Sequence, residues 1–384
     1  MILLLVLGYT DIDKSFYSND GKILKRVNDK SHDLRISSTC EIIQENCFYG
    51  LRTLNSFSFE ENPNLTTIGY HSFYGCTNLT IINLSSCYKL TKISSYAFRD
   101  CFKVKQILLP EGLLIIQAYA FYSISQVTSI IIPASVELIG DGAFHGCSKL
   151  QNVTFKEGSN LTSLAEDLFV YTAITSFQIP EKVSEVNGHP VKNGQLTNFT
   201  IHPNNNYLTV KDGNVIYSKN KSILFFILNK TGYEIPNSVT TLGNSCFRGS
   251  SIETIHIPYS VTTIGWHCFA ELSLKIIKIP NTVTSIGDDC FRGSSIETII
   301  FPNLTTTIGD GCFAFSSIKT IIIPNTVTTI GDRFLYYSSI KAFTIPNSVT
   351  TLGVCCFSQT YIETIIIPSS VKRMKRMLSL IVII

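Results

Sequence analysis

Twelve cysteines and seven histidines are the residues of this chain that could support redox or metal chemistry. Their spacing supports neither. No Cys-x-x-Cys pair occurs, so neither a zinc knuckle nor a thioredoxin-type pair is encoded. His32, His71, His145, His189, His202, His256 and His267 are scattered, without His-x-x-x-His or His-Glu pairing. Gly140-Asp-Gly-Ala-Phe-His-Gly146 has the wrong glycine spacing for a dinucleotide loop and reads as a turn. Asp11, Asp13 and Asp20-Gly21 lack calcium-loop spacing. The chain therefore reads as non-enzymatic, with no cofactor and no metal ligands.

The cysteines instead follow a beat. Cys246, Cys268, Cys290, Cys312 and Cys356 share one repeat slot, which Ala97, Ala120 and Ala143 fill earlier in the chain. A slot open to both Ala and Cys is small, buried and apolar, and free Cys behaves there as a small hydrophobe. Cys76, Cys101 and Cys147 recur in a Phe-x-x-Cys context. Free buried thiols are expected, and the redox compartment stays open.

The chemistry left to a partner lies on outward strand positions. Thr254, Thr298, Thr320 and Thr364 fall in one file, and His256, Lys278, Ile300, Ile322, Thr344 and Ile366 in the next. Isoleucines facing solvent on neighbouring coils form an apolar ribbon of the kind that marks a contact surface. The alternative is that β-branched residues merely stabilise stacked strands. Both readings stand at the level of sequence.

What positions these files is a repeat. Proline recurs every 22 residues at Pro236, Pro258, Pro280, Pro302, Pro324, Pro346 and Pro368, and glycine keeps step at Gly243, Gly265, Gly287, Gly309, Gly331 and Gly353. A fixed period of this length marks a solenoid, in which each repeat is one coil stacked on the last. In one coil, Ile252, Ile255 and Ile257 face inward while Thr254 and His256 face out, as in a short strand. The proline closes that strand, because it donates no ladder hydrogen bond. An Asn-Ser/Thr-Val turn follows, then a second short extended piece ending at the glycine. A Phe-containing back segment completes the coil, expected as one helical or 3₁₀ turn. Phe247, Phe269, Phe291, Phe313 and Phe357 are predicted to stack as a spine, with Leu335 replacing Phe once. The expected class is α/β and β-rich: a solenoid with a parallel sheet and a period of 22–25 residues.

The first half uses the same grammar with looser lengths, and Phe73, Phe98, Phe121, Phe144 and Phe169 continue the spine. Residues 204–235 break the beat. Asp212-Gly213 between two β-rich runs signals a hairpin. Tyr17 to Leu24 matches Tyr217 to Leu224 at four of eight positions, so a hairpin-like module is expected before each run. The organisation predicted is a cap at 1–35, a first run of coils at 36–203, a hairpin insertion at 204–235, a second run at 236–368, and a partial coil with an apolar tail at 369–384. The apolar start, Met1 to Gly8, reads as a first strand or as a poor signal peptide. The apolar tail is too short to span a bilayer, and reads as a partial coil or a clipped anchor.

The pattern Ile-x-x-Ile-x-Ile-Pro-x-x-Val-x-x-Ile-Gly-x-x-x-Phe resembles the BspA-like class of leucine-rich repeats. Phe73-Tyr-Gly-Cys-Thr-Asn-Leu79 and Phe144-His-Gly-Cys-Ser-Lys-Leu150 look like that class's Ala-Phe-x-x-Cys-x-x-Leu element. The resemblance covers about 36–203 and 236–371. It implies a protein-binding surface antigen or adhesin, at the cell surface or secreted, with a host or cell-surface protein as partner. The alternative is an intracellular scaffold of the same fold, so a cytoplasmic location stays open, as does membrane association. A net charge of +3, with basic residues unclustered, gives no nucleic-acid footprint.

Overall fold

The computed structural model describes residues 8–188, 190, 196–228, 233–250, 252, 254–374 and 381–383, with the side chains of Thr364 and 381–383 excepted. The apolar start up to Leu7 and most of the C-terminal tail lie outside them. Contacts divide the chain into two units, Met1–Glu185 with Pro190–Tyr207, and Val186–His189 with Leu208–Ile384. Each is a parallel β-solenoid.

Among the described residues, most coils have two short extended sides joined across a turn-rich back. In the first unit, the pieces Ile23–Leu24, Ile42–Ile43, Thr67–Ile68, Lys92–Ile93, Ile115–Ile116 and Leu138–Ile139 form one six-stranded parallel sheet. The longer strands form the other side in shorter groups, such as Ser129–Ile132 with Asn152–Phe155 and Ser176–Ile179 with Asn198–Ile201. In the second unit, Thr241–Leu242, Thr263–Ile264, Ser285–Ile286 and Thr307–Ile308 continue a parallel ladder in register. Two-residue strands suffice because each coil meets identical neighbours.

The back segments are not helical. The sole helix among the described residues is the 3₁₀ turn Lys14–Phe16. The helical wording of the expectation is corrected by backbone geometry. Two residues after the coil glycine, the chain takes a positive φ, at Ser245 (50°), His267 (52°), Asp289 (49°), Gly311 (58°), Arg333 (54°) and Cys355 (55°). A left-handed residue breaks a right-handed helix. It also turns alternate N–H groups along the solenoid axis. His267 donates to the Asp288 carbonyl at 2.9 Å, Phe269 to that of Cys290 at 2.9 Å, and Glu271 to that of Arg292 at 2.8 Å. The back is thus a third ladder between coils, and its hydrogen bonds leave along the axis instead of closing a helix.

The core is the predicted spine. Rings stack nearly parallel from Phe73 to Phe98 (4.8 Å), Phe98 to Phe121 (5.6 Å) and Phe121 to Phe144 (5.4 Å) in the first unit. They stack from Phe247 to Phe269 (5.6 Å), Phe269 to Phe291 (5.6 Å) and Phe291 to Phe313 (5.2 Å) in the second. These rings are fully buried, and each contributes roughly 1.5–3 kcal/mol of transfer free energy. Ala97, Ala120, Ala143, Cys246, Cys268, Cys290 and Cys312 are likewise buried beside them. All twelve cysteines are free, and eleven are buried.

The recurring module at the head of each run folds the same way twice. The Ser18 hydroxyl donates to Asp20 Oδ1 at 2.6 Å and accepts the Ile23 N–H at 2.9 Å; Ser218 does the same with Asn220 (2.7 Å) and Ile223 (3.0 Å). In each case the loop delivers an Ile-Leu pair to the first rung of a parallel sheet, Leu24 opposite Ile43 and Leu224 opposite Leu242. The hairpin Leu208–Lys211 with Val215–Ser218 turns through the three residues 212–214, where Asp212 and Gly213 both take positive φ (51° and 69°) and the Asn214 N–H donates to the Lys211 carbonyl at 3.1 Å.

Candidate functional site

The outward face of the second unit carries the two predicted files. Thr298 sits opposite Thr320, and Ile300 opposite Ile322, on paired strands Thr298–Ile300 and Thr320–Ile322. Ile300 is 61% exposed, Ile322 53% and Ile366 75%. Those values place these large apolar side chains in solvent, where side-chain alternation on a strand requires them to be if Ile299 is buried (1%). Thr254, His256, Lys278 and Thr344 are also exposed. Thr364 opens the strand Thr364–Ile366, and its side chain lies outside the described part.

The strand expectation is met in some coils and not in others. Residues 254–257 and 342–345 form no assigned strand, and Ile276 makes only an isolated bridge to Thr298. Where the ladder lapses, the surface is indented. Open depressions of about 760 Å³ beside Thr254, Ile276 and Lys278, about 450 Å³ beside Ile322 and Phe343, and about 740 Å³ beside Phe343, Tyr361 and Ile366 lie along this face. A charged row borders it: Lys319 meets Glu297 at 2.8 Å, and Lys275 meets Glu297 at 3.8 Å.

One member of the face was missed from sequence. Ile276 is 74% exposed and occupies the threonine file opposite Thr298. Its signal was available, since it stands four residues before Pro280 as Thr298 stands four before Pro302. The irregular lead-in Leu272-Ser-Leu-Lys-Ile276 hides it.

A second cluster, in the first unit, was not legible at all. Glu157, Glu181 and His202 come from three successive coils, each just past the end of its outward strand. His202 Nε2 lies 3.7 Å from Glu157 Oε2, and Nδ1 lies 4.0 Å from Glu181 Oε2. One ligand atom from each falls within 4.8 Å of the others. They line a depression of about 260 Å³. Spacings of 24 and 21 residues carry no motif until coil register is known.

The thiols offer no reactive centre in the interior. Burial pushes Cys76, Cys87, Cys147 and Cys356 up to about 12 and Cys40 to about 11. A buried thiol at such values is neither nucleophile nor ready metal ligand.

Stacked parallel coils, a phenylalanine spine and an open outer face define a leucine-rich-repeat solenoid, a scaffold class. The chain belongs to the BspA type leucine rich repeat region family, which it matches in six copies over residues 27–124, 91–223, 218–341 and 264–378. Its fold is shared by a leucine-rich cell surface protein from Faecalibacterium prausnitzii, at 20% identity and a TM-score of 0.53, covering 94% of this chain and 89% of that one. The pneumococcal vaccine antigen PcpA aligns at 18% identity with a TM-score of 0.48, over 91% of this chain and 76% of that one. A leucine-rich repeat protein from Bacteroides ovatus aligns at 21% identity with a TM-score of 0.44, over 94% and 88%. No curated protein sequence matches the chain. Among the described residues, no helix is long and apolar enough to cross a membrane.

Proposed function

We propose that this chain is a non-enzymatic, protein-binding scaffold of the surface antigen or adhesin type, and that it engages its partner through the outward face of the second unit. The observation that carries this reading is the set of exposed isoleucines, Ile300, Ile322 and Ile366 in one file and Ile276 in the adjacent threonine file, bordered by Lys275, Glu297 and Lys319. Exposed isoleucines on neighbouring coils are costly to leave in water, and an apolar centre with a charged rim is the anatomy of a protein interface. Rigid coils also hold these side chains in place before binding, which limits the entropy lost on association. Display at a cell surface accords with the F. prausnitzii protein of the same fold, a cell surface protein by description.

The test is a triple variant, Ile300→Lys, Ile322→Lys and Ile366→Lys, on the full chain. These side chains are solvent-exposed, so circular dichroism and melting should stay near wild type while binding to cells or to the captured partner falls at least ~10-fold. Unchanged binding by a folded variant would sink the proposal. The intracellular alternative has one observation in its favour, the twelve free cysteines. Labelling of intact cells separates the two: a protein protected until lysis is not a displayed antigen.

A further inference from the structure

The geometry points to a divalent metal site in the first unit, formed by Glu157, Glu181 and His202 and selective for zinc over calcium. The three side chains come from successive coils and converge on one shallow depression. Two carboxylates and one imidazole are a donor set that suits a first-row metal such as Zn²⁺, which takes three protein ligands and leaves a position for water. Calcium asks for six to eight oxygens, whereas the ligand atoms that converge here include an imidazole nitrogen, which suits a first-row metal.

The arrangement is held from behind. The buried Asn205 side chain donates to the carbonyls of Pro180 (2.7 Å) and Val183 (2.9 Å). The Asn205 N–H donates to the His202 carbonyl at 2.9 Å, and the His202 N–H to that of Ile179 at 2.9 Å. The turn carrying His202 is therefore clamped onto the coil carrying Glu181, and the side chains of these two residues are only 21% and 20% exposed. Glu157 is 84% exposed, so it can swing to close the site. The neighbouring cation does not compete, because Lys156 is paired with Glu111.

Zinc needs its ligand atoms near 2.0–2.2 Å from the ion, so the 3.7 Å between Nε2 and Glu157 Oε2 must shorten by a few tenths of an ångström. The Asn204 N–H donates to His202 Nδ1 at 3.3 Å, which puts the imidazole proton on Nε2. A metal held through Nε2 would require the ring proton to shift to Nδ1, with the Asn204 N–H released from that nitrogen. On its Nδ1 side the ring faces Glu181 Oε2 at 4.0 Å.

The full chain, purified with chelator and kept reduced, is titrated calorimetrically with Zn²⁺ and separately with Ca²⁺. One zinc per chain and no calcium uptake are expected. Cobalt(II) then serves as the spectroscopic probe: weak visible d–d bands are expected without the near-ultraviolet thiolate charge-transfer band that ligation by cysteine would give. His202→Ala and Glu181→Gln should each weaken zinc at least ~10-fold. Glu157→Gln changes only an exposed side chain, so it keeps the test sound if the other two variants fold poorly. Absence of saturable zinc binding, a thiolate band, or unaltered affinity in Glu157→Gln would each overturn the site.

Discussion

The ring of Phe334 stands edge-on to that of Phe313, with centroids 5.5 Å apart and planes at 84°, whereas the preceding spine pairs of the same unit lie within 14° of parallel. Phe334 occupies the slot that Cys246, Cys268, Cys290 and Cys312 fill elsewhere, and Leu335 takes the place of the spine phenylalanine. Both are buried. The large residue in the small slot is partly offset by the smaller one in the large slot, so the layer exceeds its neighbours only by the difference between Leu and Cys.

Phe334→Cys alone should leave a cavity and lower stability by roughly 3 kcal/mol. Leu335→Phe alone should overpack the same layer by about 1–3 kcal/mol. Phe334→Cys with Leu335→Phe recreates the neighbouring coil and should recover most of the loss. Urea midpoints of the four proteins form a double-mutant cycle, and additive losses would show that the two positions do not share one volume.

Gly309 marks where coils approach too closely for any side chain. A Cβ there would lie 2.4 Å from the Asp288 backbone nitrogen and 2.5 Å from the Gly287 carbonyl carbon. These are backbone atoms and cannot rotate away. Gly309→Ala should therefore destabilise by about 1–3 kcal/mol or more, while Gly50→Ala meets no atom within 4 Å and suffers only from its positive φ of 69°. Melting of both variants checks the contrast, and the larger loss at Gly50 would contradict it.

Buried thiols predict a weakness towards alkali. In the unfolded chain cysteines ionise near pH 8.5, whereas burial raises Cys76 and Cys147 to about 12 in the fold. Above pH 8.5 the unfolded state has lost protons that the folded state keeps, so stability falls as pH rises through that value and on towards 12. Melting temperatures measured from pH 7 to 10.5 should decline, and a cysteine-to-alanine variant at Cys246, Cys268 and Cys290 should decline less. In native protein at pH 8, thiol reagents should modify Cys355 first, because it alone among the twelve is not buried.

The sequence by itself determined the solenoid, because strict recurrence of proline, glycine and phenylalanine admits one way of burying their faces: coil upon coil. It also determined that Ile300, Ile322 and Ile366 turn outward, since period-two alternation is local. The repeated Ser18 and Ser218 loops could be matched by eye for the same reason. Tertiary structure decided what depends on register between coils. The backs of the coils became an axial ladder and not helices, because left-handed residues at Ser245, His267 and Asp289 aim their hydrogen bonds at the next coil, a conformation that residue type does not announce. Ile276 stands four residues before Pro280, yet its irregular lead-in hid its row until the bridge to Thr298 placed it in the threonine file. Glu157, Glu181 and His202 met because stacking converts 24 and 21 residues of sequence into adjacent rungs, a few ångströms apart.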